Sequence, residues 1–188
     1  MRRLLTAFVV PILGLFLLIG CKEVKPTSVP EEESVDSVLE EEVIADSTIY
    51  GVCGDGTAMH TLELITDGGD TLSYAMMVEE DADVQGGLLV GDRMAVIGKN
   101  TADGLVATKI INLTTLMGKW TSLDKNFELQ EGGVVQSNLK TESNPWVAWK
   151  ILNGQLLLNT DTFDITSLGA DSLYIENKNG IFVYKRQK

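Results

Sequence analysis

The residues of this 188-residue chain that could carry chemistry are few and scattered. His60 is the single histidine, so a Ser-His-Asp or Cys-His device would have to use it as its base. It opens an alternating segment after Ala58-Met59, with no nucleophile motif beside it. Gly-x-Ser-x-Gly, His-Glu-x-x-His and P-loop patterns are missing from the sequence. Glu79-Glu80-Asp81-Ala82-Asp83 is dense enough in carboxylates to suit calcium, which takes several oxygen ligands. It lacks the Asp-x-Asp-x-Asp-Gly spacing with a distal glutamate, and reads as a solvated acidic loop. The expectation is a non-enzymatic chain with no catalytic residue, metal or cofactor. Its rival is an enzyme built on an unfamiliar carboxylate constellation.

Only two cysteines are present, Cys21 and Cys53. Cys53 ends the apolar run Ile49-Tyr50-Gly51-Val52 and is expected to be buried. Cys21 follows a different grammar. Arg2 and Arg3 form a positive start, Ala7 to Ile19 an apolar run too short to span a bilayer, and Gly20 a small residue before the cysteine. Leu18-Ile19-Gly20-Cys21 resembles the lipobox of bacterial lipoprotein precursors. That resemblance implies cleavage before Cys21, diacylation of its sulfur and anchoring in the outer membrane of the cell envelope.

Without residues 1–20, which hold Arg2, Arg3 and no acid, the net charge moves from −12 to −14. Polyanion binding relies on clustered Lys and Arg. The short tail Lys185-Arg186-Gln187-Lys188 is the only basic cluster, so nucleic acid is not an expected partner.

The positions around these residues fall into four stretches: a signal peptide over 1–20, the acylated cysteine with a disordered acidic tether over 21–47, and two bodies over 48–116 and 117–188. The tether carries Pro26, Pro30, Glu31-Glu32-Glu33 and Glu40-Glu41-Glu42 with no aromatic residue, too little apolar surface to offset ordering. Val35, Val38, Leu39 and Val43 leave a short amphipathic helix open within it. In 48–116 short apolar segments, Leu88–Val90 among them, alternate with turn signals such as Asp67-Gly68-Gly69-Asp70. About five strands in so short a stretch suit a small barrel. Val90-Gly91-Asp92-Arg93 leading into Met94–Gly98 resembles the turn and strand of OB and SH3-like barrels.

In 117–188, Phe127/Leu129, Leu156/Leu158, Phe163/Ile165, Leu173/Ile175 and Ile181/Val183 each sit two apart, marking strands with one inner face. Asn153-Gly154 and Asn179-Gly180 read as type I′ hairpin turns. Gly118-Lys119-Trp120 at the head of this meander resembles the lipocalin Gly-x-Trp. With Asp171-Ser172-Leu173 and Tyr184-Lys185-Arg186, the segment is similar to the short lipocalin-like domains of exported Bacteroidetes lipoproteins. The resemblance implies an eight-stranded barrel with Gly118 and Trp120 as structural residues at its closed base. The short strands predict an interior filled by side chains, with no arginine marked by its spacing to stack on Trp120.

The expected fold is thus all-β: two consecutive small antiparallel barrels after an acidic tether, the first OB/SH3-like and the second lipocalin-like. Trp146 and Trp149, three apart in one presumed strand, fall on opposite faces, and Lys150 marks the Trp146 face as the outer one. The exposed ring is a candidate contact for a partner or ligand. Ser37 and Ser47 each follow an aspartate and precede a valine or threonine, a pattern that resembles Bacteroidetes O-glycosylation acceptors. The expected function is a membrane-anchored binding or scaffold module. Its partner is an envelope protein or, in a carrier reading, a small apolar ligand.

Overall fold

The computed structural model describes residues 45–76, 81–138 and 144–188. Cys21, Ser37, the presumed tether helix, Glu79 and Glu80 lie outside the described residues.

The first barrel is built from β1 (Ile49–Cys53), β2 (Thr61–Thr66), β3 (Thr71–Ala75), β4 (Asp83–Gln85), β5 (Arg93–Thr101) and β6 (Gly104–Asn112). Antiparallel ladders join β1 to β2 and β5, β2 to β3, and β5 to β6. Parallel pairing of Tyr74 with Leu105 and Ala75 with Val106 closes the five-stranded wall. That connectivity is of the OB type. The strand expected at Leu88–Val90 does not form; Leu89 and Val90 are exposed, and β4 instead pairs in parallel with β6 from outside. The Asp83 carboxylate meets Lys109 Nζ at 3.3 Å. The alternating residues Leu62 and Leu64 face inward with Met94, Val96 and Ile110, and each such burial contributes about 1.5–3 kcal/mol. Cys53 is buried among them, its thiol donating to Thr57 Oγ1 at 3.3 Å.

A single helical turn, α1 (Leu113–Leu116), links the barrels; Asn112 caps it by accepting from Thr115 N at 2.8 Å. The second barrel follows as β7 (Gly118–Thr121), β8 (Asn126–Gln130), β9 (Val134–Ser137), β10 (Trp149–Leu152), β11 (Gln155–Leu158), β12 (Asp161–Leu168), β13 (Ser172–Asn177) and β14 (Gly180–Arg186). The strands run as an antiparallel meander in the order β10-β11-β12-β13-β14-β7-β8-β9. A bridge between Val134 and Ala148 and the bond Val135 N to Val147 O draw the ends together, so the barrel is nearly closed.

Local chemistry sets the register, and in three places it departs from expectation. Asn153 and Gly154 both hold positive φ, as a type I′ turn requires. At the other hairpin the closing pair is Asn177 with Gly180, so the turn residues are Lys178 and Asn179, neither at positive φ. That register sets Phe182 opposite Ile175 and Tyr184 opposite Leu173. Phe182 and Tyr184 therefore face inward, while Ile181 and Val183, expected inside, are 63% and 44% exposed. A shift of one residue exchanges the faces of a whole strand. Finally, β10 begins only at Trp149, so the rule of alternating faces does not reach Trp146. Both rings are 8% exposed; neither is an outer residue.

The two barrels share one core. Ala95 of β5, Ile111 of β6 and Leu113 and Leu116 of α1 pack in one cluster with Trp120, Phe127, Leu156, Ile165 and Leu173. Tyr50 donates its hydroxyl to Ile151 O at 2.6 Å, and Leu168 N donates to Gln85 Oε1 at 2.9 Å. The first barrel and α1 thus plug the base of the second, and its mouth lies at the other end.

Candidate functional site

At the base, Trp120 is fully buried and its Nε1 donates to Leu116 O at 2.8 Å. Arg186, the last residue of β14, stacks its guanidinium 4.1 Å from the centre of the Trp120 ring. No such arginine was expected. Its Nη1 donates to Met117 O at 2.8 Å and its Nη2 to Thr115 O. Carbonyls at a helix C-terminus lack intrahelical donors; here the ring nitrogen and the guanidinium supply them. Burial pushes the Arg186 pKa down from its ordinary value, against the pull of Asp171. Gly118 sits at φ +120°, where a Cβ would lie 2.5 Å from Arg186 Nη1, so the small residue leaves room for the stack. Gly118, Trp120 and Arg186 form a structural base.

Among the described residues the opposite end is open. A cavity of 850 Å³ lies between the Thr121–Lys125 turn, the start of β12 and the strand β14. Trp146, Phe163, Phe182 and Tyr184 line it. With Phe127 these rings form a chain of edge-to-face contacts: Phe127 to Trp146 at 5.2 Å, Phe127 to Tyr184 at 5.1 Å, Trp146 to Phe163 and Phe163 to Phe182 each at 5.9 Å. Such contacts hold rings in defined orientations. Lys125 Nζ sits 4.4 Å above the Trp146 ring, and Asp124, Asn144, Asp161 and Asn179 add polar groups to the lining. The interior is therefore filled at the base and open at the mouth. A few polar groups around an aromatic floor make a site suited to apolar or amphipathic ligands.

The other residues singled out from the sequence scatter. Trp146 lines the cavity, whereas Trp149 turns toward the base and donates from Nε1 to Gln130 O at 2.8 Å. Ser47 is engaged: its N and Oγ donate to Asn153 Oδ1 at 2.8 and 2.7 Å. Asn153 N in turn donates to Thr48 Oγ1 at 3.0 Å, so residues 45–48 are tied to the second barrel. Among the described residues, no group of three or more His, Cys, Asp or Glu converges to hold a metal. The sequence marks Tyr184 and Arg186 only as part of Tyr184-Lys185-Arg186 and leaves Phe182 unmarked, because four apolar residues in a row along β14 give no alternation to show which face is inner.

No protein-family model matches this chain, and neither does any curated protein or solved structure.

Proposed function

We propose that this chain is a lipoprotein of the cell envelope, held to the outer membrane by acylated Cys21, and a non-enzymatic binding module whose second barrel takes a small apolar ligand at its mouth. The observation that carries the reading is the 850 Å³ cavity with four aromatic side chains in its wall. Ligand pockets fall in about the 300–1,000 Å³ range and are apolar with a few polar groups. A scaffold acting through surfaces alone has no need of such a space. Residues 22–44 would then serve as the spacer between lipid and the folded body.

The test is titration of the whole chain with N-phenylnaphthylamine, an uncharged probe that brightens in apolar surroundings. Saturable binding near one to one, with Trp146 emission altered, supports the reading. Thr121→Trp, which places a large ring at the lining, should abolish that binding while the fold persists. Absence of binding by the unaltered chain would remove the reading in favour of a surface scaffold.

A further inference from the structure

We propose that the open edge of β14 accepts an extended, positively charged peptide as an added strand, with one bulky apolar side chain of that peptide seated in the mouth cavity. This rests on the cavity being the binding site and names its occupant. β14 pairs with β13 along its whole length, from Ser172 opposite Lys185 to Asn177 opposite Gly180. Among the described residues its other edge pairs only with β7, at Lys185 with Thr121 and Arg186 with Trp120, because β7 ends at Thr121 and the chain turns back. Arg186 N donates to Asp171 O on the β13 side, whereas Gln187 N donates to Lys119 O on the β7 side. Successive residues of an antiparallel strand turn their polar groups to alternate sides. Ile181 and Val183 therefore point N–H and C=O into the space beyond the end of β7.

Two such residues offer two donors and two acceptors at a repeat of about 6.8 Å, twice the rise per residue of an antiparallel strand. A peptide backbone matches that pattern and an acyl chain cannot. The added strand continues an existing ladder past Lys185 and Thr121. Natural sheets guard open edges with lysine, proline or a bulge, yet Ile181-Phe182-Val183-Tyr184 carries none of these. Leu123, Ile181 and Val183 are 102%, 63% and 44% exposed beside the gap, and the aromatic floor lies below. Asp124 and Asp161 in the lining are matched there by Lys125 and Lys185, so it is the chain's net charge of −12 that favours a cationic peptide over a neutral or acidic one.

The experiment uses the whole chain and a capped nine-residue peptide of alternating valine and threonine, with a central phenylalanine and a lysine at each end. Saturable binding is expected, with about tenfold weaker binding when alternate backbone nitrogens are methylated, and a similar loss when the lysines become glutamates. Val183→Pro removes a donor on the open side and leaves the β13 ladder intact, a placement that strand edges tolerate. It should weaken the peptide about tenfold, a larger loss than that of N-phenylnaphthylamine, which needs no backbone ladder. If that variant does not fold, the methylated peptide on the unaltered chain decides. Equal binding of plain and methylated peptides, or no peptide binding while the naphthylamine still binds, overturns the edge proposal and spares the cavity. Failure of both peptide and naphthylamine overturns the cavity reading itself.

Discussion

At the base of the second barrel, single side chains carry unusual weight. Trp120 packs in the shared core and, with Arg186, satisfies three carbonyls at the end of α1. Trp120→Ala should cost roughly 3–5 kcal/mol, as truncation of a buried aromatic does, and a urea melt of the variant measures it. Arg186→Lys keeps the charge but loses the planar fork, leaving part-buried carbonyls with fewer donors, a loss of about 1 kcal/mol. Unaltered melts for both would show that the base is decorative. At the first barrel the Arg93 guanidinium, bonded to the Asp67 carboxylate, holds that carboxyl below its usual range. A depressed carboxyl pKa contributes stability above the unfolded value, about 3.9, and loses it as pH falls through the folded value. Both partners are well exposed, so Asp67→Asn should cost less than about 1 kcal/mol at neutral pH. The difference from the unaltered chain should vanish in acid; a gap that persists at pH 2 would contradict this ion-pair assignment. Arg186 itself was hard to read from sequence, since its carbonyl partners and the Trp120 ring lie about 70 residues earlier, at separations of 69 and 71 for the bonds.

For strands, legibility depended on contrast. Phe127/Leu129 and Leu173/Ile175 alternate with polar or exposed neighbours, and each pair is buried as expected. In β14 four apolar residues follow one another, so no alternation sets the phase; the two-residue turn at Lys178-Asn179 does. The parallel closure of β3 on β6 and the three-residue β4 arise from contacts distant in sequence and leave no periodic trace. The 850 Å³ space was missed for the same reason: Trp146 was assigned to a strand it does not belong to, and the inner face of β14 to the wrong residues. Asn153 belongs to this scale too, since its turn at positive φ also binds residues 45–48. Asn153→Ala should cost about 1–3 kcal/mol through turn strain and lost hydrogen bonds. Faster proteolytic cutting near residues 45–48, compared with the unaltered chain, is the expected signature; an unchanged cutting rate would contradict the tie.

Across the whole molecule, one apolar cluster runs from Ala95 and Ile111 of the first barrel into the second. The barrels should therefore melt in a single calorimetric transition, and Ile111→Asp should lower it or split it in two. The same arrangement leaves the mouth as the end where side chains do not close the second barrel. Binding at this mouth is tested by an amide chemical-shift titration of the whole labelled chain with N-phenylnaphthylamine. Saturable shifts concentrated in Thr121–Lys125 and Asn177–Lys185 are expected, with β1, β2 and β3 of the first barrel unmoved. Unchanged spectra at saturating probe, or shifts confined to the first barrel, would contradict it.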